Sequence, residues 1–197
     1  MTASSGALNY TENDPATPID DGANVSDDTS PNLAGAAVQI TGNYVTGEDV
    51  LAFFNTANIT GSFDAASGTL TLSGSDTVSN YQTALRSVTY RNTSENPSVL
   101  ARTVNFRVND GAGLDDLSNV ATRQIGVVAV NDAPTLTTVN TLPGATEDTA
   151  FAITYAALAA AANEADADGN PISFRVESVS TGTLTKDGTP VTAGTTT

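Results

Sequence analysis

The sequence predicts an all-β protein, built from tandem antiparallel Greek-key β-sandwiches, of which the second is incomplete. Short runs rich in Val, Ile and Thr are separated by clusters of Gly, Asn, Asp and Pro, which is typical of short strands and turns. Strand patterns do not alternate with long helical patterns, so a parallel βαβ sheet is not expected. Near residue 131 the features of the chain's beginning start again, which indicates a second domain of the same kind.

Charge and composition limit the classes of function. The 197 residues include 22 acidic and 7 basic side chains, giving a formal charge of −15. Nucleic acids and anionic membrane surfaces repel such a chain, so we expect neither nucleic-acid binding nor direct membrane insertion. Histidine and cysteine are absent, so the usual catalytic bases, nucleophiles and transition-metal ligands are missing and we expect no enzyme. Cations are the expected partners.

The first predicted domain covers residues 1–131 and begins with an edge strand. Residues 8–14 have an extended pattern that ends at Pro15, which cannot donate to a β ladder. Further strands are predicted near residues 37–40 and 50–54. The runs 59–63 and 69–73 flank a loop with Gly and Asp, which predicts a hairpin with Leu70 and Leu72 facing inward.

The period of the pattern then changes to that of a helix. Val78, Tyr81 and Leu85 recur at intervals of three and four, and Thr77 precedes them as a candidate N-cap. This predicts one short helix over residues 78–86. Strands are expected to resume at residues 87–90, 104–108 and 122–130. Apolar and polar residues alternate over 104–108, as in a half-buried strand, and residues 124–130 form a mostly apolar run.

The second predicted domain covers residues 132–197 and follows a joint with the sequence Asn131-Asp132-Ala133-Pro134. Strands are predicted at residues 150–153 and 172–176, an alanine-rich helical turn at 155–163, and a hairpin turn at 186–188. This segment is shorter than the roughly 100 residues that a sandwich of this type needs. We therefore expect only the N-terminal part of a second sandwich.

Repeated acidic clusters are the most informative feature for function. Ca²⁺ takes six to eight oxygen ligands from carboxylates, amides and backbone carbonyls, and several loops must usually supply them. The candidate ligands are Glu12, Asp27, Asp110, Asn131, Asp132, Glu147, Asp166, Asp168 and Asn170. Seven further acidic loop residues are interpreted as solvated carboxylates that keep the protein soluble: Asp20, Asp21, Asp64, Asp76, Asp115, Asp116 and Asp187. Asp14, Asp28 and Asp148 fit either interpretation.

Three of these clusters resemble the calcium-binding signatures of cadherin repeats: Glu12 on the first strand, the Asn131-Asp132-Ala133-Pro134 joint, and Asp166-Ala167-Asp168 beyond it. Longer stretches are similar to the cadherin-like tandem repeats of large bacterial RTX-type surface adhesins. The similar stretches are LNYTEND at residues 8–14, ITGNYV at 40–45, GTLTLSG at 68–74 and VNDAP at 130–134.

The resemblance implies a calcium-rigidified extender module of a secreted adhesin. It implies type I secretion, an extracellular place at the bacterial cell surface, neighbouring repeats as partners, and a role in cell adhesion and biofilm attachment. It also implies a calcium site between the domains, made by Glu12, Asn131, Asp132, Asp166 and Asp168, with Asn170 as a further ligand. Asp27 and Asp110 would belong to an equivalent site at the start of the first domain, where Thr29 departs from the Asp-x-Asp pattern. Glu147 parallels Glu12 in the second domain, and no Asp-Arg-Glu signature is present.

Other interpretations of the sequence lead to different functions. The module could bind a glycan or a second copy of itself, or it could be an accessory domain of a secreted hydrolase. Asp166, Asp168, Asn170 and Glu177 have the spacing of an EF-hand loop, but Pro171 stands where that loop needs glycine. The flanking residues alternate as in a strand, which is not typical of an EF-hand.

Overall fold

A computed structural model describes residues 1–111 and 116–194, so Asp115 lies outside the described residues. The chain divides into two compact units, Met1–Val130 and Asn131–Thr197, called unit 1 and unit 2. Strands make up 35% of the chain and helices 8%, which confirms the predicted all-β class. In the described ranges, no helix combines the length and apolar character needed to cross a bilayer.

Unit 1 is a sandwich of a six-stranded and a three-stranded sheet. The larger sheet has the strand order β1-β9-β8-β3-β6-β5 and the smaller one β2-β7-β4. Both sheets contribute buried side chains to one core, among them Val38 and Phe106 from the larger sheet and Leu51 and Tyr90 from the smaller. The strands are β1 (Ala7–Thr11), β2 (Thr17–Pro18), β3 (Asn32–Gly42), β4 (Asp49–Ala52), β5 (Thr60–Asp64), β6 (Thr69–Thr77), β7 (Thr89–Asn92), β8 (Arg102–Asn109) and β9 (Ala121–Val128).

One strand pair departs from the predicted antiparallel arrangement. β1 pairs with β9 in parallel, with Tyr10 opposite Val127, while the other strand pairs of unit 1 are antiparallel. The two strands are far apart in sequence, so no hairpin turn forces them to run in opposite directions. Because they run the same way, both finish at the same end of the sandwich. This brings Glu12, just after β1, beside the residues that follow β9.

The local predictions for the middle of unit 1 are confirmed. β5 and β6 form the expected hairpin, with Asp64 opposite Thr69, and Leu70 and Leu72 are buried. The helix α1 spans Val78–Arg86, and its N-cap Thr77 accepts a hydrogen bond from the backbone N–H of Asn80 through Oγ1 at 3.2 Å. On β8, Val104, Phe106 and Val108 are buried, as their alternation predicts.

Unit 2 contains the helix α2 (Tyr155–Ala161) and a hairpin of β10 (Thr185–Lys186) and β11 (Thr189–Pro190). Asp187 and Gly188 turn the hairpin with φ values of 50° and 79°, so helical turn and hairpin both lie where they were predicted. The strands predicted at 150–153 and 172–176 do not form. Ile172, Phe174 and Val176 are less exposed than the residues between them, as their alternation predicts, but residues 171–180 have no regular strand conformation.

Candidate cation-binding sites

Glu12 is a buried carboxylate at the end of unit 1 where β1 and β9 finish. Tyr10 and Glu12 are two residues apart, so the alternation of the strand turns both side chains inward. Glu12 is only 5% exposed, its backbone N–H donates to Val128 O at 2.8 Å, and its Oε2 accepts the backbone N–H of Val130 at 2.7 Å. Its second oxygen, Oε1, is buried and has no hydrogen-bond partner. An unpaired buried carboxylate oxygen is costly, and a cation would satisfy it.

A tight turn follows Glu12 and is held by local hydrogen bonds. Asn13 has a positive φ of 66°, a conformation that Asn adopts more readily than most residues. Asp14 Oδ2 accepts the backbone N–H of Thr11 at 2.9 Å, and the Asp14 carbonyl accepts the Tyr10 hydroxyl at 2.8 Å. Asp14 therefore stabilises the turn that follows Glu12.

Glu95 is a further acidic residue at this end of unit 1, and the sequence patterns did not indicate it. Its Oε2 accepts a hydrogen bond from the Asn13 side-chain amide at 3.1 Å. A carboxylate oxygen of Glu12 and one of Glu95 lie within 4.8 Å of each other. Glu95 is in a loop far from Glu12 in sequence and belongs to none of the acidic clusters. Only the fold brings the two side chains together.

In unit 2, the structure brings together five of the residues predicted from sequence. The Asp132 backbone N–H donates to Asp168 Oδ2 at 2.7 Å, and the Asn170 amide donates to Asn131 Oδ1 at 2.8 Å. Asp166 Oδ1 accepts the backbone N–H of Asn170 at 3.0 Å. We call Asn131, Asp132, Asp166, Asp168 and Asn170 the joint cluster.

The joint cluster forms because two chain segments of unit 2 run side by side. Thr135 and Ala165 form an antiparallel bridge with N–O distances of 2.7 and 3.0 Å. The Asn163 side chain holds the same two segments together, because its Oδ1 accepts the backbone N–H groups of Thr137 and Thr138. Pro134 favours the extended backbone that this pairing requires. Carboxylate and amide oxygens therefore converge, and these are the hard ligands that Ca²⁺ prefers.

The EF-hand alternative does not fit the structure of unit 2. Residues 171–177 are not helical, whereas an EF-hand loop is flanked by helices. Gly169 has a φ of 72° and directly precedes Asn170, so the tight turn lies at a different position from the one an EF-hand requires.

Asp27 and Asp110 also come together in unit 1, through Ser30. The Ser30 hydroxyl donates to Asp110 Oδ2 at 2.8 Å, and the Ser30 backbone N–H donates to Asp27 Oδ1 at 2.8 Å. Thr29 adds two donors to the same Asp27 oxygen, from its backbone at 2.8 Å and its hydroxyl at 2.9 Å. The hydrogen bonds to Asp27 lower its pKa, and the backbone N–H of Ser30 makes the largest contribution. Thr29 thus donates at the position where the Asp-x-Asp pattern would supply a carboxylate.

Glu147 differs in its surroundings from Glu12. The backbone turn is similar, because Asp148 after Glu147 has a φ of 56° and Asn13 after Glu12 has 66°. Glu147, however, is exposed and follows no strand, whereas Glu12 is buried at a strand end. The repeat seen in the sequence is therefore preserved in the turn but not in the environment of the carboxylate.

The interpretation of Asp20 as a solvated loop carboxylate is wrong. Asp20 is only 1% exposed and accepts backbone N–H groups of Ser4 at 2.8 Å and Gly22 at 3.2 Å. Its Oδ1 also lies 3.2 Å from the Arg123 guanidinium. Arg123 is on β9, and its proximity depends on the sheet rather than on the local sequence. Asp20 therefore holds the N-terminal segment against the sandwich.

The geometry defines a β-sandwich protein with clustered carboxylate and amide side chains on separate loops. A search of known proteins finds halomucin of Haloquadratum walsbyi, which is 36% identical over 95 residues. The match covers 46% of this chain and 1% of halomucin. No family model matches the chain, and no solved structure matches it.

Proposed function

We propose that this chain is a structural module of a cell-surface adhesin, in which calcium stiffens the joint that begins at Asn131. The joint cluster carries the proposal, because five oxygen-bearing residues predicted from the sequence converge within unit 2. The partial similarity to halomucin, a large surface protein, supports a place at the cell surface. The formal charge of −15 supports cations as partners.

The donor set fits a hard divalent cation. Carboxylate and amide oxygens make up the joint cluster, and the chain offers no histidine or cysteine to favour zinc. When bound, calcium would neutralise the carboxylates of Asp132, Asp166 and Asp168. The side chains of Asp166 and Asp168 also accept backbone N–H groups, from Asn170 and Asp132 respectively, so they are oriented before an ion arrives. Within unit 1, Glu12 is a separate candidate ligand, and it accepts the N–H of Val130.

The mechanism is electrostatic. Without a cation, the carboxylates near the joint repel one another, which favours an open and mobile chain around Asn131. With a cation, each carboxylate gains a ligand bond, and the joint loses freedom to pivot. A stiff joint would hold distal binding domains of a long adhesin away from the cell.

Thermal unfolding tests this proposal. Extracellular calcium modules typically have Kd values of ~10⁻⁴–10⁻³ M. At 100-fold above Kd, calcium would stabilise the folded protein by about 2.7 kcal/mol. We expect the Tm of the 197-residue chain to rise across a Ca²⁺ titration relative to EDTA, and to rise less with Mg²⁺. An identical Tm in EDTA and at saturating Ca²⁺ would refute the calcium role.

Self-association is a second candidate function, favoured by the surface of unit 2. Several large apolar side chains there are exposed, including Leu136 at 50%, Ile153 at 45% and Tyr155 at 56%. Exposed apolar patches of this kind mark interaction surfaces when they are contiguous. Light scattering across a concentration series, in calcium, tests whether a second copy covers them. A constant monomer mass at the highest concentration would refute self-association.

A further inference from the structure

We propose that Glu95 is a cation ligand, which acts with Glu12 at the end of unit 1 where β1 and β9 finish. The identity of the ion as calcium rests on the function proposed above. The site itself is argued from residues of unit 1 alone. Glu95 belongs to none of the acidic clusters recognised in the sequence.

The first argument is the environment of Glu12. Glu12 as a residue is 5% exposed, and its Oε2 accepts the Val130 N–H at 2.7 Å. Oε1 is buried without a hydrogen-bond partner, so one lone-pair-bearing oxygen has lost water and gained nothing. Native proteins leave few such groups, and a bound ion is one of the ways in which such an oxygen is satisfied.

The second argument is the short distance between the carboxylates of Glu95 and Glu12. Oxygens of Glu12 and Glu95 lie within 4.8 Å of each other, a distance that one Ca²⁺ can bridge with Ca–O bonds of about 2.3–2.6 Å. Two carboxylates this close repel each other, and a cation between them removes that repulsion. Asn13 donates its amide to Glu95 Oε2, which orients Glu95 but adds no positive charge.

The third argument is that Glu95 lies on an anchored loop. The backbone N–H of Ser94 donates to Asn92 Oδ1 at 2.9 Å, and that of Asn96 donates to Ser94 Oγ at 3.1 Å. Asn92 is itself buried and donates its amide to Asp49 at 2.8 Å. The loop is thus tied to the core on one side of Glu95 and closed by a local turn on the other. A ligand held in this way loses little entropy when it binds an ion.

The chemistry of the pair selects a hard cation. Both ligands are carboxylates, and the neighbouring Asn13 and Asp14 add only oxygen and amide groups. Such oxygen sets suit Ca²⁺ rather than softer metals. Affinity in calcium sites follows the number of charged ligands, so the loss of either carboxylate should weaken binding.

Calorimetry on the full chain tests the proposal with Glu95→Gln, which keeps the size and the acceptor oxygen for Asn13. We expect Glu95→Gln to lose one equivalent of bound Ca²⁺, or to raise a Kd by about tenfold or more. In EDTA, its Tm should equal or exceed that of the unchanged protein, because the repulsion with Glu12 is relieved. A merely structural role for Glu95 would instead lower the Tm in EDTA. Glu95→Asp, which keeps the charge but has a shorter reach, should bind with intermediate affinity.

Two controls separate this proposal from the function on which it rests. Asp21→Asn removes one exposed carboxylate and should leave stoichiometry and Kd unchanged. Asp168→Asn should weaken calcium binding through the joint cluster. If Asp168→Asn weakens binding while Glu95→Gln matches the unchanged protein in stoichiometry and Kd, Glu95 is not a ligand and the calcium function stands. If the unchanged protein itself binds no calcium, both proposals fail.

Discussion

The guanidinium Nε of Arg102 lies 3.1 Å from Oδ2 of Asp49, and both side chains are completely buried. The Tyr90 hydroxyl donates to Asp49 Oδ1 at 2.6 Å, and the backbone N–H of Val45 donates to Asp49 Oδ2 at 2.8 Å. Burial, and then the neighbouring Asp49 carboxylate, raise the pKa of Tyr90 far above its usual value. The network joins β4, β7 and β8 and anchors the loop that carries Glu95. Loss of one partner of such a buried ion pair is strongly destabilising, because it leaves the other charge buried and unpaired.

Replacing Arg102 with leucine should therefore strongly destabilise the folded protein. The change leaves the Asp49 carboxylate buried without its cation and frees the carbonyls of Ser98 and Leu100, which Arg102 Nη1 now binds at 2.5 and 2.6 Å. We expect Arg102→Leu to lower the free energy of unfolding by about 3–5 kcal/mol in urea denaturation. Arg91→Ala removes an exposed arginine of β7 and serves as the control. We expect it to change the free energy of unfolding by less than about 0.5 kcal/mol.

The double variant Asp49→Leu/Arg102→Leu distinguishes an unpaired charge from lost packing. If the unpaired carboxylate dominates, the double variant should be more stable than Arg102→Leu alone. If the double variant instead loses as much free energy of unfolding as Asp49→Leu and Arg102→Leu lose together, this account of the network is contradicted.

The joint cluster predicts which carboxylates respond to calcium. Asp132→Ala removes a carboxylate of the joint cluster and keeps the backbone N–H that donates to Asp168. We expect Asp132→Ala to lose most of the calcium-dependent rise in Tm. Asp64→Ala should keep it, because Asp64 is an exposed carboxylate that caps the β5–β6 turn through Ser67 and Ala66. Scanning calorimetry with and without calcium measures both, and equal responses would remove the basis for the assignment.

The backbone around Gly74 leaves no room for a side chain. Its φ is +127°, and a Cβ there would lie 1.9 Å from the carbonyl oxygen of Asn58. We expect Gly74→Ala to cost about 2–4 kcal/mol in denaturant unfolding, because both the strand β6 and the facing backbone must shift. Gly47 has a φ of +88° but nothing within 4 Å of an added Cβ, so Gly47→Ala should cost only the backbone strain of about 1–2 kcal/mol. Similar losses at the two sites would show that the contact with Asn58 does not decide the cost.

The lowered pKa of Asp27 predicts a pH dependence with a definite sign. The folded state holds the ionised carboxylate through Ser30 and Thr29, so its pKa lies below the unfolded value of about 3.9. Its stabilising contribution is present above the unfolded pKa and is lost as the pH falls through the folded pKa. Asp27→Asn should therefore be less stable than the unchanged protein at pH 7, and the difference should shrink below about pH 4. Urea unfolding at pH 7, 4 and 3 measures it, with Asp21→Asn as the charge-matched control; a difference independent of pH would contradict the assignment.

Local chemistry of the sequence determined the all-β class and many of its elements. Thr77 with the three- and four-residue spacing of Val78, Tyr81 and Leu85 was enough to define α1, because capping and periodicity act within a few residues. The Asp187-Gly188 turn was likewise predictable, since few residues accept two consecutive positive φ values. The Asp-x-Asp triplet and the Asn-Asp-x-Pro joint are also local patterns, and their resemblance to cadherin signatures indicated the members of the joint cluster.

Only the tertiary structure decided which distant side chains meet. The parallel pairing of β1 with β9 placed Glu12 beside Val130, and the β7–β8 loop placed Glu95 beside Glu12. The same long-range packing buried Asp20 against Arg123 and Asp49 against Arg102. Asp20 and Arg123 are 103 positions apart in the chain, and no local pattern records such a partner. The sequence therefore indicates candidate cation ligands, while the fold decides which of them lie close together.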